Sequence, residues 1–136
     1  MIKTGGGTVQ AWIEGTATPV ADVAALDAIL GRRPPKGVTL ASDDGQRVLH
    51  INFYADRSDL YWETETDFLL AWGPVPPGAP ADQVVGDAEY AYDNPWFALP
   101  DGAEPFEVTA AQARQAAHGF LRTGERPTNV QWVVKP

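Results

Sequence analysis

The chain has 136 residues, no cysteine, and 18 Asp plus Glu against 10 Lys plus Arg, a formal net charge of −8. This balance argues against a nucleic-acid or anionic-membrane surface, which requires clustered lysine and arginine. The missing thiols exclude a disulfide frame and thiolate metal sites. With 44% hydrophobic and 21% charged residues, the composition is that of a folded protein, and the length fits one domain over residues 1–136.

The N-terminus reads Met-Ile-Lys-Thr-Gly-Gly-Gly, with no apolar run behind the lysine, and residues 1–7 are expected to be a mobile lead-in. Thr8 to Gly15 carries β-branched and aromatic residues up to a glycine and reads as a first strand. From Val20 to Leu30 the stripe Val23, Leu26, Ile29 and Leu30 predicts a helix of about three turns, stopped by Gly31 and the Pro34-Pro35 pair. Gly37 to Ser42, Arg47 to Ala55, Asp59 to Thr66 and Phe68 to Trp72 then read as an antiparallel meander. An Asp-Gly step at Asp44-Gly45 marks the first hairpin, and Asp56-Arg57-Ser58-Asp59 reads as the next turn. In the second run Leu49, Ile51, Phe53 and Ala55 share one face, and Val48, His50, Asn52 and Tyr54 the other. In the third, Leu60, Trp62, Thr64 and Thr66 alternate with Tyr61, Glu63 and Glu65.

Gly73 to Pro80 is too rich in proline for a hydrogen-bonded element and reads as a surface loop. Glu89 to Tyr92 is a short candidate strand before Asp93-Asn94-Pro95 turns the chain toward Trp96-Phe97. Thr109-Ala-Ala-Gln112 fits a capping box, opening a helix that runs to Arg122 or Thr123. Its stripe is Ala113, Ala116, Ala117, Phe120 and Leu121, and Gly124 and Pro127 end it. Val130 to Val134 follows as a terminal strand. The fold expected is α+β, a mostly antiparallel sheet of five or six strands with two helices packed against it. No segment approaches the ~20 apolar residues of a membrane span, so the chain is expected to be soluble and cytoplasmic.

Catalytic patterns are sparse. His50 and His118 have no partners at metal-ligand spacing, and no cofactor, metal or nucleotide motif is present; Gly5-Gly6-Gly7 precedes a strand rather than a helix. Neither Ser42 nor Ser58 lies in a nucleophile elbow. Glu63 and Glu65 on one strand face, or His50, are what an acid/base cleft or small-ligand site between sheet and helices would use. The charge distribution is more informative. Residues 43 to 107 hold 14 of the 18 acids, opposed by Arg47 and Arg57, so this stretch carries −12. Its plain reading is a solvated surface, and its sharper reading a face that attracts a cationic partner. Tyr and Trp beside acids or prolines are typical interface anchors. On that basis Asp56, Asp59, Tyr61, Glu63 and Glu65 in the central hairpin, and Asp93 and Trp96 beyond it, are the expected partner-binding residues.

The C-terminal third carries a resemblance. Ala113-Arg114-Gln115-Ala116, followed by Phe120-Leu121-Arg122-Thr123-Gly124-Glu125-Arg126-Pro127-Thr128-Asn129-Val130-Gln131-Trp132, resembles the ending of the Imm1 family of bacterial immunity proteins. Trp96-Phe97-Ala98-Leu99-Pro100 and the early helix with Val23, Leu26, Asp27 and Leu30 are similar to earlier parts of that family. The resemblance implies an α+β protein of interbacterial competition, encoded beside a polymorphic toxin, commonly a nucleic-acid deaminase, that it neutralises by direct binding; a one-to-one complex is expected. It implies no enzymatic activity. On physical grounds Phe120, Gly124, Pro127 and Trp132 read as scaffold, not as the toxin contact.

Overall fold

The computed structural model describes residues 9–31, 37–54, 57–74, 84–85 and 108–134. Strand β1 (Val9–Ile13) turns at Glu14-Gly15 into β2 (Thr16–Val20). Both turn residues have positive φ, 49° and 83°, the geometry of a tight two-residue hairpin whose twist matches its strands. No strand is expected from sequence over Thr16 to Pro19, and Pro19 lies within β2. Proline is tolerated since β2 is the sheet edge, pairing only with β1. Val20, expected to open the first helix, instead pairs with Val9 and is buried. Helix α1 (Val23–Gly31) begins after Asp22, whose Oδ1 accepts the Ala25 N–H at 2.8 Å as an N-cap.

The meander follows as β3 (Val38–Ala41), β4 (Arg47–Tyr54), β5 (Arg57–Thr64) and β6 (Phe68–Pro74). Tyr54 pairs directly with Arg57, so β5 begins two residues before the expected Asp59, and Arg57 and Ser58 belong to it and not to the expected turn. Residues 55 and 56 lie outside the described residues. Strand β7 (Val84–Val85) pairs in parallel with β9 (Val130–Val134), while β8 (Val108–Thr109) pairs with β5 beside Arg57 and Ser58. Helix α2 (Ala110–Thr123) starts from the expected capping box: Thr109 Oγ1 accepts the Gln112 N–H at 3.0 Å, and Gln112 Oε1 accepts the Thr109 N–H at 2.8 Å.

The sheet order is β2-β1-β3-β4-β5-β6-β9-β7 with β8 beside β5, nine strands among the described residues where five or six were expected. The additional members are the edge strand β2 and the two-residue strands β7 and β8, the last two too short to show a periodic pattern. Both helices cover one face. Leu26, Ile29 and Leu30 of α1 and Ala113, Ala116, Ala117 and Phe120 of α2 join Ala11, Leu40, Leu49, Ile51, Leu60, Trp62, Leu69 and Trp132 in one core. The Trp62 and Phe120 rings meet edge to face at 5.5 Å and 83°, a geometry worth about 1 kcal/mol beyond the area it buries. Trp132 Nε1–H donates to the Pro127 carbonyl at 2.8 Å, which ties the end of the Thr-Gly-x-Arg-Pro segment to β9. Gly124 takes φ 71° as the helix stop. Arg47 Nη1 donates to the Gly124 carbonyl at 3.0 Å and pairs with Glu125 at 3.2 Å. His118 on α2 joins Asp27 on α1 at 2.6 Å, a structural use of one of the two histidines. Among the described residues no helix is long and apolar enough to cross a membrane.

Candidate partner-binding face

Strand alternation sends every second residue of β1, β3, β4 and β5 away from the helices. Register pairing then aligns two rows on this open face. Trp12, Thr39, His50, Tyr61 and Leu70 form one, and Gln10, Ala41, Val48, Glu63 and Phe68 the other. Farther along, Asn52 faces Asp59, and Tyr54 faces Arg57. Three large apolar side chains stand out of this surface: Trp12 at 46% exposure, Tyr54 at 56% and Phe68 at 38%. Tyr61 and Phe68 pack edge to face at 6.0 Å.

The face therefore gathers Asp59, Tyr61 and Glu63 at alternate positions of β5, as expected. Glu65 differs: β5 ends at Thr64, and Glu65 lies in the following turn, closed by the Thr64 N–H to the Asp67 carbonyl at 2.9 Å. It remains on the rim of the same cleft. Asp56, Asp93 and Trp96 lie outside the described residues. Of the two bases in the acidic stretch, Arg57 shares this face, whereas Arg47 points to the helix side and meets Gly124 and Glu125. Trp12 and Phe68 were not singled out from sequence; alternation in β1 and the Phe68–Glu63 pairing are the signals that would have found them.

A cleft of ≈ 640 Å³ opens over the two rows, lined by Trp12, Thr39, Ala41, Val48, His50, Glu63 and Glu65 and by the Gly45-Gln46 rim. Within it Thr39 Oγ1 lies 3.0 Å from His50 Nδ1, and His50 Nε2 lies 2.9 Å from Glu63 Oε1. A neutral imidazole satisfies both contacts by accepting the Thr39 hydroxyl and donating to Glu63. Three adjacent strands thus hold one side-chain chain in fixed orientation. The rim is equally fixed: Asp44 accepts from the Ser42 hydroxyl at 2.6 Å and the Gln46 N–H at 2.9 Å, and the first of these chiefly holds its carboxyl below the ordinary range. At the other end of the face, burial pushes the Asp59 carboxyl up, offset in part by the Tyr54 hydroxyl that donates to it at 3.1 Å. The same contact raises Tyr54, and burial followed by the nearby Asp59 charge raises Tyr61.

The backbone of β3 is committed to β1 on one side and β4 on the other at Thr39, so its amides do not point into the cleft to stabilise a developing oxyanion. The arrangement presents charge and aromatic surface more readily than it performs acyl transfer. No curated protein matches the chain. The family model for immunity protein Imm1 matches residues 14–134, which spans both helices and the open-face residues of β3, β4, β5 and β6 but not β1, and the chain belongs to this family of immunity proteins, whose members bind a cognate toxin.

Proposed function

We propose that the chain neutralises a toxin that acts on nucleic acid, a base deaminase, by laying the open face of its sheet over the toxin's substrate groove in a one-to-one complex. The observation that carries this reading is the gathering of the exposed aromatic residues Trp12, Tyr54 and Phe68 on the face opposite the helices, beside the carboxylates Asp59, Glu63 and Glu65. A deaminase that takes a base out of a strand needs a cationic groove and an open pocket. A rigid acidic sheet occupies such a groove in place of phosphates, and Trp12, Tyr54, Tyr61 and Phe68 supply apolar contact with little side-chain entropy to lose. Sheet residues keep their geometry on binding, which favours affinity through preorganisation.

The test is to mix the toxin domain encoded beside this chain with the purified protein and follow deamination of a single-stranded substrate. A stable complex with activity abolished at one equivalent is expected. Undiminished deamination at equimolar protein refutes the reading, and inhibition of a different toxin activity refutes the deaminase assignment alone. The competing reading, an enzyme or small-ligand site, was expected between sheet and helices, but strand alternation puts His50 and Glu63 on the face away from the helices; there it draws on the Thr39–His50–Glu63 chain and predicts turnover or saturable small-molecule binding without any toxin.

A further inference from the structure

The cleft has a shape that the charge pattern alone does not explain. Its floor is made by Ala41 and Val48, the smallest members of their row, between the bulk of Trp12 in the neighbouring row and the carboxylate of Glu63. Across β1, β3, β4 and β5 this amounts to three strand spacings, about 14 Å. One end is an aromatic wall; the other holds two carboxylates, Glu63 and Glu65. A cleft with Trp12, Ala41 and Val48 along it and two carboxylates at its end is complementary to a long side chain with an aliphatic stem and a cationic head. Glu63 is not a freely moving surface glutamate. His50 holds its Oε1 at 2.9 Å and is itself held by Thr39 at 3.0 Å, while Glu63 stays half exposed to the cleft. A carboxylate with one oxygen fixed and a second carboxylate at the rim suit a planar, forked cation better than a point charge.

We propose that this cleft is a socket for an arginine side chain presented by the toxin, with its stem over Ala41 and Val48 beside Trp12 and its guanidinium shared by Glu63 and Glu65. This rests on the immunity reading above. His50 is the positioning residue, holding the Glu63 carboxylate toward the guest. Burying one cationic side chain of the toxin in this way would take from its groove a charge that nucleic acid needs.

The test has two arms on the full chain. In the first, arginine amide is titrated into the labelled protein by two-dimensional NMR, with the neutral isostere citrulline amide as control. Saturable shifts of the Trp12 indole and of the Val48, His50 and Glu63 amides are expected with arginine amide only, and their loss in Glu63→Gln. Equal shifts with citrulline amide, or no saturable shift, overturn the socket. In the second, toxin affinity is measured for Glu63→Gln and for Arg114→Ala on the exposed side of α2. A tenfold or greater loss for Glu63→Gln, with Arg114→Ala within twofold, is expected. Glu63→Gln within twofold of the parent protein, in a complex that still forms, overturns the inference and leaves the immunity reading standing. Saturation by arginine amide with no toxin binding leaves the socket standing and removes the immunity reading.

Discussion

Reversing both cleft carboxylates, Glu63→Arg with Glu65→Arg, changes the local charge of the open face by four units. Both residues are substantially exposed, so the relevant dielectric is near that of water. At about 7 Å each unit then interacts with one opposing charge by ~0.6 kcal/mol, reduced to ~0.25 kcal/mol by physiological salt. Four units against one partner cation give about 1 kcal/mol, and against two cations about 2 kcal/mol, which brackets a tenfold loss of affinity. The assay is calorimetry or surface-based kinetics with the toxin domain at two salt concentrations. The double variant is expected to bind about five- to thirtyfold more weakly, with part of the loss in association rate and a shallower salt dependence. Both substitutions leave the helix-side core untouched, and circular dichroism checks that the fold is retained. An affinity within twofold of the parent protein would refute the electrostatic reasoning and remove the β4–β5 hairpin from the interface.

Gly37→Ala is expected to destabilise the chain by at least about 2 kcal/mol, because Gly37 has φ +76° and an added Cβ would lie 2.2 Å from the Ile51 carbonyl oxygen; urea unfolding within 0.5 kcal/mol of the parent protein would contradict this. Trp132→Phe leaves the Pro127 carbonyl without its buried donor and is expected to cost about 1–3 kcal/mol, read from the same transition. Asp59 is raised mainly by burial, so its protonated form is favoured by folding. Its contribution to stability is complete below the ordinary carboxylate value and is lost as pH rises through the raised folded value. Asp59→Asn should therefore stabilise the protein at neutral pH and lose that advantage in acid; equal effects at both pH values would refute the assignment.

Much of this architecture is written in local signals. The capping box at Thr109, the stripe through Phe120, the Gly124 stop and the alternation along β4 and β5 each combine a short-range rule with a buried face, and each appears where the pattern places it. The misses have one cause in common. Strand β2 contains Pro19, and β7 and β8 are two residues long; each is defined by the neighbour it pairs with, which a local pattern does not contain. The displaced start of α1 follows from the same hairpin, since Val20 is claimed by β1 before Asp22 caps the helix. Within the site, alternation puts Asp59, Tyr61 and Glu63 on one face. The contact between His50 and Glu63 required the register of β4 against β5, which is set by the Tyr54–Arg57 closure and not by the longer turn read from the polar residues.

The chain has no cysteine, so single cysteines can map the covered surface on a clean background. Tyr54→Cys and Phe68→Cys place a thiol on the open face, and Arg114→Cys and Gln115→Cys place one on the outer side of α2. The measurement is the rate of maleimide labelling with and without saturating toxin. Strong protection at Tyr54→Cys and Phe68→Cys, with the two helix sites labelled at their free rates, is the predicted result. Protection at the helix sites with the open face still labelled freely would contradict the claim that the sheet is the toxin-binding surface.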